Sequence, residues 1–98
     1  MTCITNIYRK EYSDIADIQQ KNNVYYNLVK TISDNLTYFG IEVILKNEKA
    51  NLETALFQGV SESEKNVRDI LKFLYENSIK PETSVEIISD LVSYLEYS

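Results

Sequence analysis

The sequence of 98 residues contains no histidine and no tryptophan, and it has only one cysteine, one proline and two glycines. The lack of histidine removes the commonest general base, the usual serine and cysteine triads and most transition-metal sites. The two glycines stand alone, so no glycine-rich phosphate loop is present. We therefore expect a protein that is not an enzyme, with no catalytic residues, no cofactor, no metal and no small-molecule substrate.

Long apolar runs are also missing. No stretch approaches the roughly 20 apolar residues that a membrane-spanning helix needs. Charges at Arg9 and Lys10 precede any sustained apolar segment, which is unlike a signal peptide. The single Cys3 cannot form an internal disulfide, in keeping with a reducing compartment. We expect a cytoplasmic protein.

The net charge of −5 disfavours a nucleic-acid backbone or an anionic lipid surface as a partner. Residues 1–60 hold seven acidic and six basic side chains, whereas residues 61–98 hold eight and four. From Pro81 onward there are four acids and no base. The acidity therefore belongs to the last segment.

The scarcity of turn residues favours helices over a β-rich fold. Ser13 is a good N-cap for a first helix of about 23 residues that ends before Gly40. Its apolar face follows spacings of three and four, a heptad stripe interrupted by one asparagine. That stripe is Ile15, Ile18, Asn22, Tyr25, Val29, Ile32 and Leu36. Asn22 either sets the register of helix packing or lies at an exposed turn.

Two further helices follow in this interpretation. Residues 42–57 begin like a strand, with a β-branched run, but their leucines continue at helical spacing. Ser61 and Glu64 match a capping box for the third helix, in which Glu64 also pairs with Arg68. The residues of this helix that we expect to point inward are Val67, Ile70, Leu71 and Leu74.

Pro81 ends the third helix, because a proline inside a helix costs about 3 kcal/mol. A fourth helix begins either at Pro81 or at Ser84. Its expected inward residues are Val85, Ile88, Leu91, Val92 and Leu95. The predicted fold is all-α, an antiparallel up-and-down four-helix bundle. It forms a single domain over residues 1–98, with the order of residues 1–12 left open.

The fourth helix carries two sets of candidate binding residues. Glu82, Glu86 and Asp90 are four apart and line one face, which is a solvated surface, a patch for a partner or, as a third option, a catalytic or metal-binding group. Tyr94 and Tyr97 are either interface anchors or part of a fraying end.

Residues 24–95 resemble the enterocin A immunity-like family, the helical proteins that protect producers of pediocin-like bacteriocins. The resemblance is carried by the order of three segments, in which the third joins two helices through a proline. These segments are VYYNLVKTISDN, EVILKNEKANLETALFQG and NVRDILKFLYENSIKPETSVEIISDL.

The resemblance implies a cytoplasmic immunity protein of a Gram-positive bacterium, without enzymatic activity. Its partner would be a membrane sugar-transport permease with bound bacteriocin. The surface of the last hairpin would supply the contacts. The partner-binding residues expected there are Lys72, Glu76, Lys80, Glu82, Glu86, Asp90, Tyr94 and Tyr97.

Two alternatives remain open at this point. An acidic phage- or plasmid-encoded inhibitor would use the same charge to block an intracellular protein such as a nuclease or a repressor. An assembly protein would use the stripe from Ile15 to Leu36 to form a dimer, so the sequence does not decide between a monomer and a homodimer.

Overall fold

The computed structural model describes residues 1–12, 22–47 and 51–97. They form a four-stranded antiparallel sheet in the order β1-β2-β3-β4, followed by two helices that pack on the same face of the sheet. The elements are β1 (Thr2–Tyr12), β2 (Asn22–Ser33), β3 (Leu36–Lys46), β4 (Asn51–Ser61), α1 (Glu64–Glu76) and α2 (Pro81–Tyr97). The predicted all-α four-helix bundle is therefore wrong, and residues 1–12, whose order was open, contain the first strand.

The predicted first helix is replaced by β2. The side chains of this strand that belong to the core with the helices are at alternate positions, Val24, Tyr26 and Leu28, which is the period of two that a strand requires. Asn27 and Val29 are buried as well. Two residues of the predicted helical stripe, Ile32 and Leu36, are 39% and 49% exposed. The beginning of the predicted helix, from Ser13 to Ile18, lies outside the described residues.

A two-residue turn joins β2 to β3. Asp34 and Asn35 have φ angles of 50° and 66°, and Ser33 pairs directly with Leu36. Two consecutive positive φ angles are the requirement of a type I′ hairpin turn, which asparagine and aspartate tolerate better than most residues. Both residues fall inside the predicted first helix, which is wrong at these positions. This turn sets the register that brings Tyr26 opposite Val43.

The predicted second helix is replaced by β3 and β4. Phe39, Ile41 and Val43 are buried at alternate positions and face the helices, so the β-branched run noticed in the sequence is a strand. Residues 48–50, which come between these two strands, are not among those described.

Gly40 allows β4 to approach β3 closely. The pairing of β3 with β4 shifts between Phe39 and Ile41, and Gly59 on the opposite strand has a φ of 66°. A Cβ atom at Gly40 would lie 2.1 Å from the carbonyl oxygen of Phe57. No side chain fits in that space, so a glycine is required at this position.

The helix α1 was predicted well. Its inward residues Val67, Ile70, Leu71 and Leu74 are buried as expected, and the Arg68–Glu64 pair forms at 2.8 Å. The N-cap differs from the prediction. It is Ser63, whose Oγ accepts a hydrogen bond from the backbone N–H of Asn66 at 3.3 Å. Ser61 lies two residues before Ser63, and its Oγ accepts a hydrogen bond from the backbone N–H of Ser63.

The helix α2 begins at Pro81, one of the two predicted starts. Ile88 is buried and Leu91 is partly buried, as expected, but Val85 is 47% exposed, so its predicted inward position is wrong. The side chains of Val92 and Leu95 are outside the described part. Because α2 packs mainly on β4 and β3, its buried face is set by the edge of the sheet.

A cluster of aromatic rings fixes the connector between α1 and α2. The fully buried Tyr26 donates a hydrogen bond from its hydroxyl to the carbonyl of Ile79 at 2.8 Å. Tyr75, near the end of α1, stacks on Tyr8 with ring centroids 4.7 Å apart and meets Tyr26 edge-on at 6.0 Å. Lys10 donates to the carbonyl of Tyr75. These contacts determine where the chain turns into α2.

Replacing Gly40 by alanine should destabilise the protein, because the new methyl group meets backbone rather than a movable side chain. We expect a loss of about 1–3 kcal/mol in the free energy of unfolding, measured in urea. Gly59→Asn is the control, since a Cβ there meets nothing within 4 Å and asparagine tolerates positive φ. An unchanged stability of Gly40→Ala would contradict the close approach of the two strands.

Replacing Tyr26 by phenylalanine should lower the free energy of unfolding by about 1–2 kcal/mol, because the carbonyl of Ile79 loses its hydroxyl donor. The matched control is Tyr25→Phe on the other face of the sheet, which should stay within about 0.5 kcal/mol of the parent. Urea unfolding of both variants makes the comparison. Equal effects of the two changes would show that the hydroxyl of Tyr26 has no special role.

Candidate functional site

The residues predicted to bind a partner are distributed over both helices and the connector. Lys72 and Glu76 are exposed on α1, and Lys80 is exposed before α2. The acidic row of α2 is also exposed, at Glu82, Glu86 and Asp90. Tyr94 and Tyr97 belong to α2, but their side chains are outside the described part.

A groove of about 380 Å³ lies between β4 and the first turns of α2. On the strand side it is lined by Ala55, which is buried, and Phe57, which is partly buried. On the helix side it is lined by Pro81 and by Val85, whose exposed fraction is 47%. Its floor and walls are therefore largely apolar, although the groove is open to solvent. Of the predicted partner-binding residues, Glu82 lines it.

The rim of the groove is acidic. Glu53 of β4 lies on one side and Glu82 of α2 on the other, and both side chains are exposed. Among the described residues that line the groove there is no lysine or arginine. Leu56 also borders it and is 49% exposed, although it alternates with Ala55 and Phe57. The groove is therefore an apolar site with a negatively charged rim.

The strand beside the groove is an edge of the sheet. In the part of the chain that the structure describes, β4 pairs with β3 on one side and with no other strand. Alternate residues of an edge strand direct their backbone N–H and C=O groups away from the sheet, where they can pair with a further strand. An extended peptide bound there would run beside α2 and place alternate side chains in the groove, which is the geometry of recognition by strand addition.

The groove depends on a contact within the first turn of α2 and on one contact between residues that are distant in the sequence. Pro81 is buried on the sheet side of α2, and Ser84, also buried, donates from its Oγ to the carbonyl of Pro81 at 2.6 Å. The connector before Pro81 is fixed by the hydrogen bond from Tyr26 to Ile79. Together these contacts direct the start of α2 toward β4 and leave Val85 at the open side.

Neither metal chemistry nor a membrane span is evident in the described residues. They contain no group of three or more histidine, cysteine, aspartate or glutamate side chains placed to hold a metal ion. Within the same residues, no helix combines the length and the apolar character that crossing a bilayer requires. The features of this region are an apolar surface, backbone hydrogen-bonding groups and exposed carboxylates, which suit binding.

Residues 7–94 match a family described as a family of unknown function, DUF6514. The chain belongs to this family. The matched range begins in β1, ends in α2 and includes both sides of the groove. No curated protein and no solved structure matches the chain. The family membership therefore carries no activity over to this protein.

The sequence predicted the helix side of the groove better than the strand side. Pro81 is predicted as a possible helix start, which the structure confirms, and it lines the groove. Glu82 is predicted to bind a partner, which stays a prediction, and it also lines the groove. Ala55 and Phe57 are predicted to lie in a helix, which is wrong, because both belong to β4. A period-two interpretation of residues 53–57 would have placed Glu53 on the same face as these two residues.

Proposed function

We propose that this protein is a binding module that holds an extended segment of another protein along the free edge of β4. The observation that carries the proposal is the groove between β4 and α2, which combines an unpaired strand edge with an apolar cavity of about 380 Å³. The backbone of the strand would supply hydrogen bonds for affinity, and the cavity would select the side chain that enters it.

The expected affinity is modest. Each backbone hydrogen bond contributes a net 0.5–1.5 kcal/mol or so. Burying one large apolar side chain between Ala55 and Val85 adds about 1.5–3 kcal/mol. Ordering the peptide and losing its free motion offset much of this gain. A dissociation constant on the order of 1–100 µM follows for a short peptide.

A different protein suits this surface better than a second copy of the chain. Two copies joined edge to edge at β4 would bring two acidic rims, each with Glu53 and Glu82, into one interface. The dimer predicted from the stripe between Ile15 and Leu36 has lost its basis, because Asn22–Ser33 is a strand. The monomer remains the simplest form for the proposed function.

Protection against a pediocin-like bacteriocin stays a prediction, as does a cytoplasmic location. The resemblance that suggested immunity relied on successive helices, whereas almost all described residues of its first two segments lie in β2, β3 and β4 and in the turn after β2. An acidic inhibitor of an intracellular protein also stays a prediction. It agrees with the proposal in one respect, since both describe an acidic surface that binds a protein.

The proposal is tested by selecting peptides of about 12 residues from a displayed random library and measuring their binding in solution. Bound peptide should slow the exchange of backbone amides in residues 53–57, because it covers the outer edge of β4. Val85→Asp should weaken binding at least tenfold, because it replaces an apolar side chain of the groove by a charge.

Phe73→Asp is the matched control, since Phe73 is an apolar residue of α1 that is 46% exposed and is not part of the groove lining. It should bind the selected peptides as the parent does. The proposal is wrong if no peptide is selected by the folded protein. It is also wrong if amide protection appears away from β4, or if the two variants bind alike.

A further inference from the structure

The side chains of an added strand must alternate between the two faces of the sheet. Glu53, Ala55 and Phe57 point to the helix-covered face, as their pairing with Leu45, Val43 and Ile41 shows. Residues opposite one another in neighbouring strands share a face, with Cβ atoms about 4.5–5.5 Å apart. A peptide residue opposite Ala55 therefore enters the groove, and the residue two positions away lies opposite Glu53.

Resting on the proposed function, we infer that the bound segment is basic. It carries an apolar residue that fills the groove opposite Ala55 and a lysine or arginine two residues away, opposite Glu53. If the bound segment runs in one direction along β4, the basic residue follows the apolar one. If it runs in the opposite direction, the basic residue precedes the apolar one. The partner is thus an extended segment with the pattern apolar–any–basic, or the reverse.

The charges around the groove support this inference. Glu53 and Glu82 approach the site from opposite sides, and Glu86 follows Glu82 by one helical turn and is exposed. From Pro81 onward the sequence has no basic residue, and the described residues that line the groove include no lysine or arginine. A cation between the two sides interacts favourably with both carboxylates, whereas an acidic residue there is repelled by both.

The difference in affinity between a peptide with a basic residue opposite Glu53 and one with a neutral residue there can be bounded. One exposed ion pair typically changes an equilibrium constant by about 1.4- to 5-fold, and salt weakens it. Two carboxylates on either side of one cation raise the expected discrimination between a basic and a neutral residue to about 2- to 25-fold. An arginine gains more than a lysine if it reaches both carboxylates, because its planar group presents several donors.

The test uses the intact protein and synthetic peptides that share one apolar anchor. The residue two positions from the anchor is lysine, glutamine or glutamate, and both orders of anchor and charge are made. Fluorescence anisotropy gives the dissociation constants at low and high salt. We expect lysine to bind about 2- to 25-fold tighter than glutamine, glutamate to bind weakest, and the difference to shrink at high salt.

Charge reversal supplies the second part of the test. The double variant Glu53→Lys with Glu82→Lys should prefer the glutamate peptide, and Glu62→Lys, an exposed position outside the groove lining, should keep the preference of the parent. The isosteric pair Glu53→Gln with Glu82→Gln covers the case in which the reversed variant does not fold. It should bind lysine and glutamine peptides about equally.

Equal binding of all three peptides by the parent overturns the inference while leaving the binding module in place. Tighter binding of the glutamate peptide overturns it as well. If none of the peptides, including those selected from the library, binds the folded protein, the proposed function itself fails and the inference fails with it.

Discussion

The hydrogen bond from the hydroxyl of Tyr26 to the carbonyl of Ile79 joins the centre of the sheet to the connector between the helices. Tyr26 is fully buried, and its ring also meets Tyr75 at the end of α1. The end of one helix and the approach to the next are thus fixed by one side chain of β2. Because Pro81 follows Ile79 by two residues, the place at which α2 begins is fixed as well.

The two helices cover the sheet unevenly, and this leaves open the groove that forms the candidate site. The first helix contacts all four strands, whereas α2 lies against β4 and β3 at one side. An apolar groove remains between α2 and the outer strand, lined in part by Val85 and Phe57. Glu82 of the acidic last segment and Glu53 of β4 give this groove a negative rim. Fold and charge therefore both agree with the proposed partner, an extended segment with an apolar and a basic residue.

The sequence predicted α1 and α2 because the evidence for these two helices lies in short stretches of neighbouring residues. The inward face of α1 has a clear helical period, and Pro81 can only begin a helix or break one. The sheet was missed because Tyr25, Val29 and Ile32 happen to follow helical spacing although they lie in a strand. The few glycines also misled the prediction, since Asp34 and Asn35 make the tight turn without one. The groove could not be predicted, because it joins β4 to α2 across a connector set by Tyr26.

The most direct test of this account is the hydrogen exchange of single backbone amides in β4, followed by NMR on the free protein. A strand paired on one side only should show alternation over residues 53–57, with slow exchange at amides bonded to β3 and fast exchange at those that face outward. Slow exchange at every one of these amides would mean that the edge is already covered, and fast exchange at all of them would mean that β4 is not a strand. Either result would contradict a free edge that is ready to bind a partner.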